Sequence, residues 1–420
     1  MLPCAYYCEG VDHPEGDVPV LRVVTEAIDD IHPLVPLVDP RHPLVFIQRG
    51  QGIAGIGEAL RLEFTGPTRM TDAAAAWKRV AAAAQVTDPI AKPGTGLVAL
   101  GAFAFADDSA RTSVLVVPSV VIGRRDGTSW ITRINCDDAL PAEKPFGPEL
   151  EVKFDFGPLD RPGYVRAVES ALGHLRAGEL SKVVLARSMV GHLPDGADLR
   201  VLLGELASGY PGTWTFAVDG LIGASPETLV TAHRGAVTAR VLAGSAPRGA
   251  DELADQDAAA ELATSTKDLD EHSFALRSLL GSLAPYAANV TSSEQPFTLK
   301  LPNLWHLASD VEGDLTHGSS SLDLIAALHP TAAVAGTPTD KALALIHELE
   351  PFDRGRYAGP VGWVGADGDG EWAIALRSAQ VDDDGTVTAF AGAGIVADSV
   401  PDKELAETRM KFRPIIDAFA

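Results

Sequence analysis

The feature that most restricts the fold of this chain is that its strand signals fall in adjacent pairs. Residues Thr228 to Leu242 form an alternating run split by Arg234-Gly235, and the strand candidates around Ile374 and Val387 are joined across Asp384-Gly385. Turns of this kind close hairpins, because glycine adopts positive φ without steric cost. Hairpins pair strands antiparallel. Helical segments are inserted irregularly between strand pairs, so the alternation that builds a parallel sheet is missing and the expected class is α+β with a mainly antiparallel sheet.

From about Val45 to Ile134 the signals are strand-like, in LVFIQRG, GIGEALRLEF, GLVALGAFAF and SVLVVPSVVIG, with one alanine-rich helix expected from roughly Asp72 to Val86. Cys136 to Pro162 carries five prolines and many acidic side chains, which marks a domain boundary or a long surface loop. Beyond it come a helix from Tyr164 to Arg176, the strand KVVLARSMV, a helix near Leu199 to Ala207, and the strands TWTFAV and LIGAS. One long helix is expected from about Asp251 to Ala284, then shorter ones at Leu322 to Leu328 and Thr339 to Glu348, and a terminal helix ending near Phe419.

Bulk properties remove several function classes. A formal charge of -23 over 420 residues argues against nucleic acid and anionic membrane as partners, since both are bound through basic patches. No apolar run approaches the roughly 20 residues needed to span a bilayer. MLPCAYYCEG has neither a basic segment nor a long apolar one, so no secretory signal is expected and the location expected is cytoplasmic. The cysteines Cys4, Cys8 and Cys136 make no zinc pattern, and at least one is unpaired, which fits a reducing compartment.

Several stretches could carry chemistry. In AGAGIVADSVPDKELAETRMKF, small residues around Gly392 lead through Ser399, Pro401 and Asp402 into a helix start of the capping-box kind. Glu404, Glu407 and Lys411 then share one helix face, either as a solvated ion-pair face or as a site for a magnesium ion and an anionic molecule. Lys182 opens a strand on the same side as Val184 and Ala186, so its amine faces either an apolar interior or water. Glu227 in GASPETL follows Ser225-Pro226 at the end of a strand, where a carboxylate can cap backbone amides, and Gly244 in LAGSAPRG could present backbone amides to an anion. In SxKDxxEH, Glu271 either pairs with Lys267 or faces Glu407 across a metal. His306 is a strand histidine, either satisfied in the core or bonded to a ligand, and Arg377, alternating with apolar residues on a strand, requires an anionic partner from protein or ligand.

In this order the segments KVVLAR, GASPE, LAGS, SxKDxxEH, WHL, ALHPTAAVAG, RGRYAGPVGW, AIALRSA and GAGIVxxSxPxxExxET resemble the chorismate-utilising enzymes. These include anthranilate synthase component I, aminodeoxychorismate synthase, isochorismate synthase and salicylate synthase. The resemblance covers roughly Pro162 to Ala420. It implies one large α+β domain in which two mainly antiparallel sheets sandwich the active site with helices outside. Residues 1–160 would be its N-terminal β-rich part and 161–420 the chorismate-binding catalytic region.

By the same resemblance, lysine at position 182 marks a water-adding member, where ammonia-adding members carry glutamine. Lys182 would then be the general base and Glu227 the general acid. Glu271 and Glu407 would hold magnesium with Glu404 supporting the metal shell, while Gly244, Ser245, His306, Ala333, Arg377, Gly392 and Lys411 contact chorismate. The implied activity is isochorismate synthase, feeding menaquinone or siderophore biosynthesis, in a monomer without a glutaminase subunit. LAGSA is closer to isochorismate synthases than the LAGTR form of salicylate synthases. Salicylate synthase and a catalytically silent chorismate-binding or scaffold protein are the alternatives. Arg356 departs from the family pattern, which usually has an aromatic there.

Overall fold

The computed structural model describes residues 7–8, 19–249, 251–300 and 304–419, with the backbone alone at residues 7–8, Ser245, Lys267, Glu271 and Leu304. Two sheets organise the molecule. The first has 11 strands and includes, as neighbours, Ser113–Val117, Val98–Ala102, Pro360–Gly365, Gly370–Ile374, Thr228–His233, Ala236–Pro247 and Leu304–Leu315. The second has 13 and runs through Lys182–His192, Thr386–Ile395, Ser378–Val381, Leu221–Ser225, Trp214–Val218, Leu44–Gln48, Gln51–Ile56, Val120–Arg125 and Thr128–Ile134. Pairing among the described strands is antiparallel except at two short strands, Tyr7–Cys8 and Gln85–Thr87.

Both sheets draw on both halves of the chain. Leu44–Gln48 pairs with Trp214–Val218, and Val98–Ala102 with Pro360–Gly365. The main core joins Phe46, Trp130 and Phe216 of the second sheet to Leu100, Val116, Trp363 and Trp372 of the first. Helices Arg161–Arg176, Leu199–Gly209, Thr339–Leu349 and Pro401–Ala418 pack on the second sheet, and Arg69–Ala83 and Ser321–Leu328 on the first. Burying each large apolar side chain stabilises by about 1.5–3 kcal/mol, so the position of a strand is set mainly by which face meets these layers.

Three expectations about helices are corrected. The alanine-rich helix is Arg69–Ala83, three residues earlier at each end than Asp72 to Val86. The long helix is two, Glu252–Thr264 and Thr266–Leu283, broken where Ser265 turns extended (φ -67, ψ 110) and its Oγ accepts from the Asp268 amide at 3.3 Å. A serine that caps a new helix competes with continuing the old one. The terminal helix Pro401–Ala418 has Pro401 at its first position, but its N-cap is Val400 without a side-chain cap. Ser399 instead accepts from the Val396 amide at 3.2 Å, so there is no capping box.

The proline-rich connection after Cys136 is irregular apart from Asp155–Phe156, yet it is anchored. Leu150 and Val152 are buried with the helix Leu199–Gly209, and the Val152 amide donates to the Phe419 carbonyl at 2.9 Å.

Candidate active site

Strand Lys182–His192 is held along its length by Thr386–Ile395, in register from Val183 opposite Ile395 to His192 opposite Thr386. Val183 and Leu185 pack outward against the helix Arg161–Arg176, whereas Ala186 enters the main core. Alternation therefore sends the half-buried Lys182 inward with Val184 and Ala186. Room for it comes from Gly394 on the neighbouring strand, where a Cβ would lie 3.0 Å from the Lys182 Cε.

Glu227 sits where the chain leaves the second sheet at Ser225 and enters the first at Thr228. Arg377 occupies the reverse crossing, between Gly370–Ile374 and Ser378–Val381. The crossings are tied together: Ser225 Oγ donates to the Ile374 carbonyl at 2.6 Å, the Ile374 amide to the Glu227 carbonyl at 3.0 Å, and the Ala224 amide to the Arg377 carbonyl at 3.1 Å. Arg377 is thus not on a strand, as alternation suggested. Its φ of 49° is left-handed, a conformation that costs about 1 kcal/mol or more for a residue with a Cβ. A β-type alternation cannot signal such a turn.

The remaining residues arrive from three elements. On the terminal helix, Lys411 Nζ lies 2.6 Å from Glu407 Oε1 and donates to the Gly392 carbonyl at 2.9 Å. Gly392 itself lies opposite Ala186. His306, on Leu304–Leu315, faces a bulge at which Gly244 takes φ +78, and its Nδ1–H donates to the Gly244 carbonyl at 3.3 Å. In the neutral ring Nε2 is then left as an acceptor for a ligand hydroxyl. Ala333 lies in the turn before Gly336–Thr337, the short strand paired with Lys182 and Val183.

Electrostatics joins these groups into one site. Burial raises the Glu227 carboxyl above its ordinary value and outweighs Lys182, Lys411 and Arg377, which all act to lower it. Burial also lowers His306, with Lys182 and Lys411 adding to the effect and the Gly244 contact opposing it. Arg377 is lowered by burial against the opposing charges of Tyr357, Glu227 and Glu407. Glu404 is raised by burial and by Glu407, although Ser399 bonds to it. Each shift favours the neutral form, as burial of an ionisable group does.

The side chains of Glu271 and Ser245 lie outside the described residues. Their backbone places Ser245 opposite His306 and Glu271 on Thr266–Leu283, whose Asp268 packs on Gly244. Among the described residues no group of three or more His, Cys, Asp or Glu side chains is placed to hold a metal. The donor chemistry does suit one. Glu404 and Glu407 are neighbouring hard carboxylates whose mutual repulsion a divalent cation would relieve.

Sequence reasoning missed Tyr357. Its hydroxyl would lie 3.3 Å from a Cβ placed on Gly392, its ring stacks on Phe390 with centroids 5.2 Å apart, and burial pushes it up to about 12 within the fields of Arg354, Arg377 and Glu227. It stood in the RGRYAG segment, next to the arginine that drew attention. A cavity of about 820 Å³ lies elsewhere, behind the strand of Lys182, and is lined by Arg69, Phe105, His329, Glu350, Phe352 and Arg354. It contains none of the expected site residues, and the charged groups converge instead around Glu227.

Fold and site together define an α+β enzyme in which an amine, a carboxyl inclined to stay protonated and further cations lie within one field. Residues 14–420 match the chorismate binding enzyme family, and the chain belongs to that family. It is 41% identical over 274 residues to the isochorismate synthase DhbC of Bacillus subtilis, a match covering 62% of this chain and 69% of that protein. The structure of MenF, the menaquinone-specific isochorismate synthase of Escherichia coli, superimposes with a TM-score of 0.76 at 24% identity over 95% of both chains. Anthranilate synthase component I of Streptococcus pneumoniae gives 0.68 at 20% identity over 87% of this chain and 92% of that one. These last two establish a shared two-sheet α+β fold.

Proposed function

We propose that the protein is an isochorismate synthase that adds water at C2 of chorismate and removes the C4 hydroxyl. The observation that carries the reading is that Glu227, at the crossing between the sheets, lies in the field of Lys182 while burial holds its carboxyl above the ordinary value. Glu227 delivers its proton to the C4 oxygen, so the carbon–oxygen bond breaks with water leaving and not hydroxide. A water oxygen bonds to C2 as the Lys182 amine takes its proton, and the two ring double bonds shift between these positions. Arg377, Lys411, Tyr357 and His306 bind and orient the carboxylates and hydroxyl of the substrate, with Gly244, Ser245, Ala333 and Gly392 forming the backbone wall. The local cations explain how a chain of charge -23 accepts a dianion.

Glu271 and Glu407, with Glu404 beside Glu407, are the residues to hold magnesium, which when bound neutralises substrate carboxylate charge. The reading extends to a cytoplasmic monomer without a glutaminase subunit, supplying isochorismate to menaquinone or siderophore synthesis. Product analysis with chorismate and magnesium tests it. Isochorismate alone is expected; salicylate with pyruvate would make the enzyme a salicylate synthase, and binding without product a silent chorismate-binding protein. Lys182→Ala should lower kcat by about 10²–10⁴-fold; retention of most turnover would remove Lys182 from the role of base.

A further inference from the structure

On one side strand Lys182–His192 has a complete neighbour; on the other it has two fragments. Gly336–Thr337 pairs only with Lys182 and Val183, and Asp155–Phe156 only with Met189 and Val190. Between them the Val184 amide still donates to the Ala335 carbonyl at 2.9 Å, and beyond that the edge is closed by side chains. Glu350 Oε1 accepts from the Ala186 amide at 2.7 Å, and Arg354 Nη2 donates to the Val184 carbonyl at 2.7 Å. The two side chains are joined in a bidentate pair, Nε to Oε2 at 2.8 Å and Nη2 to Oε1 at 2.6 Å, and each is 2% exposed. Arg354 Nη1 also donates to the Val334 carbonyl at 3.0 Å, in the turn that contains Ala333. The ring of Phe105, 4.5 Å from the guanidinium, covers its far side towards the 820 Å³ cavity.

We propose that Glu350 and Arg354 are positioning residues, a side-chain ion pair that takes the place of a missing strand and fixes Lys182 relative to the 331–335 turn. The carboxylate supplies the acceptor and the guanidinium the donor that a backbone neighbour would have supplied, and only the planar fork of arginine reaches Val184, Val334 and Glu350 at once. A buried pair of this kind is a poor source of net stability, because desolvation offsets its attraction. Its contribution is to geometry. Val184 and Ala186 are two and four residues from Lys182 on the same inward face, so a shift of the edge is passed to the amine without the pair touching substrate.

This inference rests on the proposed acid-base reading. The test uses the double variant Glu350→Leu/Arg354→Met, which removes both charges without orphaning either, and Arg354→Lys, which keeps the charge but not the fork. Thermal melting close to wild type is expected for Arg354→Lys, and a lower melting temperature with the fold retained for the double variant, which leaves the Ala186 amide and the Val184 and Val334 carbonyls without these partners. kcat for isochorismate formation should fall about 10–100-fold in the double variant and about tenfold in Arg354→Lys, with KM changed less than threefold. The acidic limb of the pH profile of kcat/KM, which reports deprotonation of the base, should move in both. Wild-type kcat and an unmoved limb in Arg354→Lys, or in a folded double variant, would overturn the inference. Failure of the wild-type protein to form isochorismate would instead overturn the underlying reading.

Discussion

Two buried clusters of like composition behave in opposite ways. In one, Asp219 accepts from Arg356 Nη2 at 2.7 Å and from Arg61 Nη2 at 2.9 Å, while Arg356 also donates to the carbonyls of Thr112 and Asp219. Burial alone would raise the Asp219 carboxyl, but the two guanidiniums hold it below the ordinary range. In the other, Glu227 lies near three cations and is still raised. Two guanidiniums at bonding distance outweigh the burial of Asp219 by their charge first and their hydrogen bonds second, whereas the field of three cations does not outweigh the burial of Glu227. The saturated cluster also accounts for Arg356, the departure from the family pattern: its side chain, 1% exposed, points away from the site and joins the Leu221–Ser225 hairpin to the Ser113–Val117 edge.

The largest effect should come from breaking the unsaturated cluster. Glu227→Gln keeps the shape and removes the transferable proton, so kcat is expected to fall about 10²–10⁴-fold while the melting temperature holds or rises, measured by steady-state kinetics and calorimetry. A drop in melting temperature with turnover preserved would mean that Glu227 is a structural group.

The saturated cluster should respond the other way. Asp219→Ala leaves one guanidinium almost fully buried without its carboxylate. Removing one partner of a buried pair costs about 3–5 kcal/mol, and Asp219 is 28% exposed, so about 2–3 kcal/mol is expected in denaturant unfolding. kcat of the folded enzyme should stay within twofold. Loss of turnover exceeding the loss of folded protein would show that the two clusters are coupled.

What was legible beforehand follows the same division between local and non-local physics. The turns at Gly235 and Gly385, both with positive φ, were readable because a turn is decided by a few adjacent residues, but the strand joined to Thr386–Ile395 across Gly385 is Ser378–Val381 and not the one around Ile374, which lies in the other sheet. The ordered motifs named Lys182, Glu227 and Lys411, and the fold brings these within one another's fields. The crossings between sheets were not readable, since strand spacing does not say which sheet a strand joins, and Arg377 was accordingly misplaced. Tyr357 gave no local signal, because a tyrosine beside charged groups reads the same in sequence as one filling a core. The break at Ser265 had a local signal in the serine followed three residues later by Asp268, which the apparent continuity of the helical run obscured.

A smaller perturbation acts within the site by crowding alone. In Gly394→Ala the new methyl would meet the Lys182 Cε at 3.0 Å, at the far end of a flexible side chain that can move aside. The fold should therefore survive unchanged while the amine shifts. kcat is expected to fall about tenfold with KM nearly constant, in line with the cost of misplacing a reacting group. An unchanged kcat would mean that the amine has slack the packing does not suggest.

The smallest effects, and the sharpest contrast, lie in the pH dependence of stability. Asp219 has a folded-state value below its unfolded value of about 3.8, so its contribution is fully present above that value and is lost as pH falls through the folded value. Glu227 has a folded-state value above its unfolded value of about 4.5, so the folded protein holds that proton more tightly, and stability declines as pH rises from about 4.5 through the raised value. Melting curves of Asp219→Asn and Glu227→Gln, each compared with wild type across the acid range, should differ in sign. Wild type should lose its advantage over Asp219→Asn on acidification, and should lose ground to Glu227→Gln as pH rises towards neutrality. A Glu227→Gln comparison with no slope would mean that Glu227 ionises as readily as an ordinary carboxylate, and that burial at the crossing does not keep its proton for the reaction.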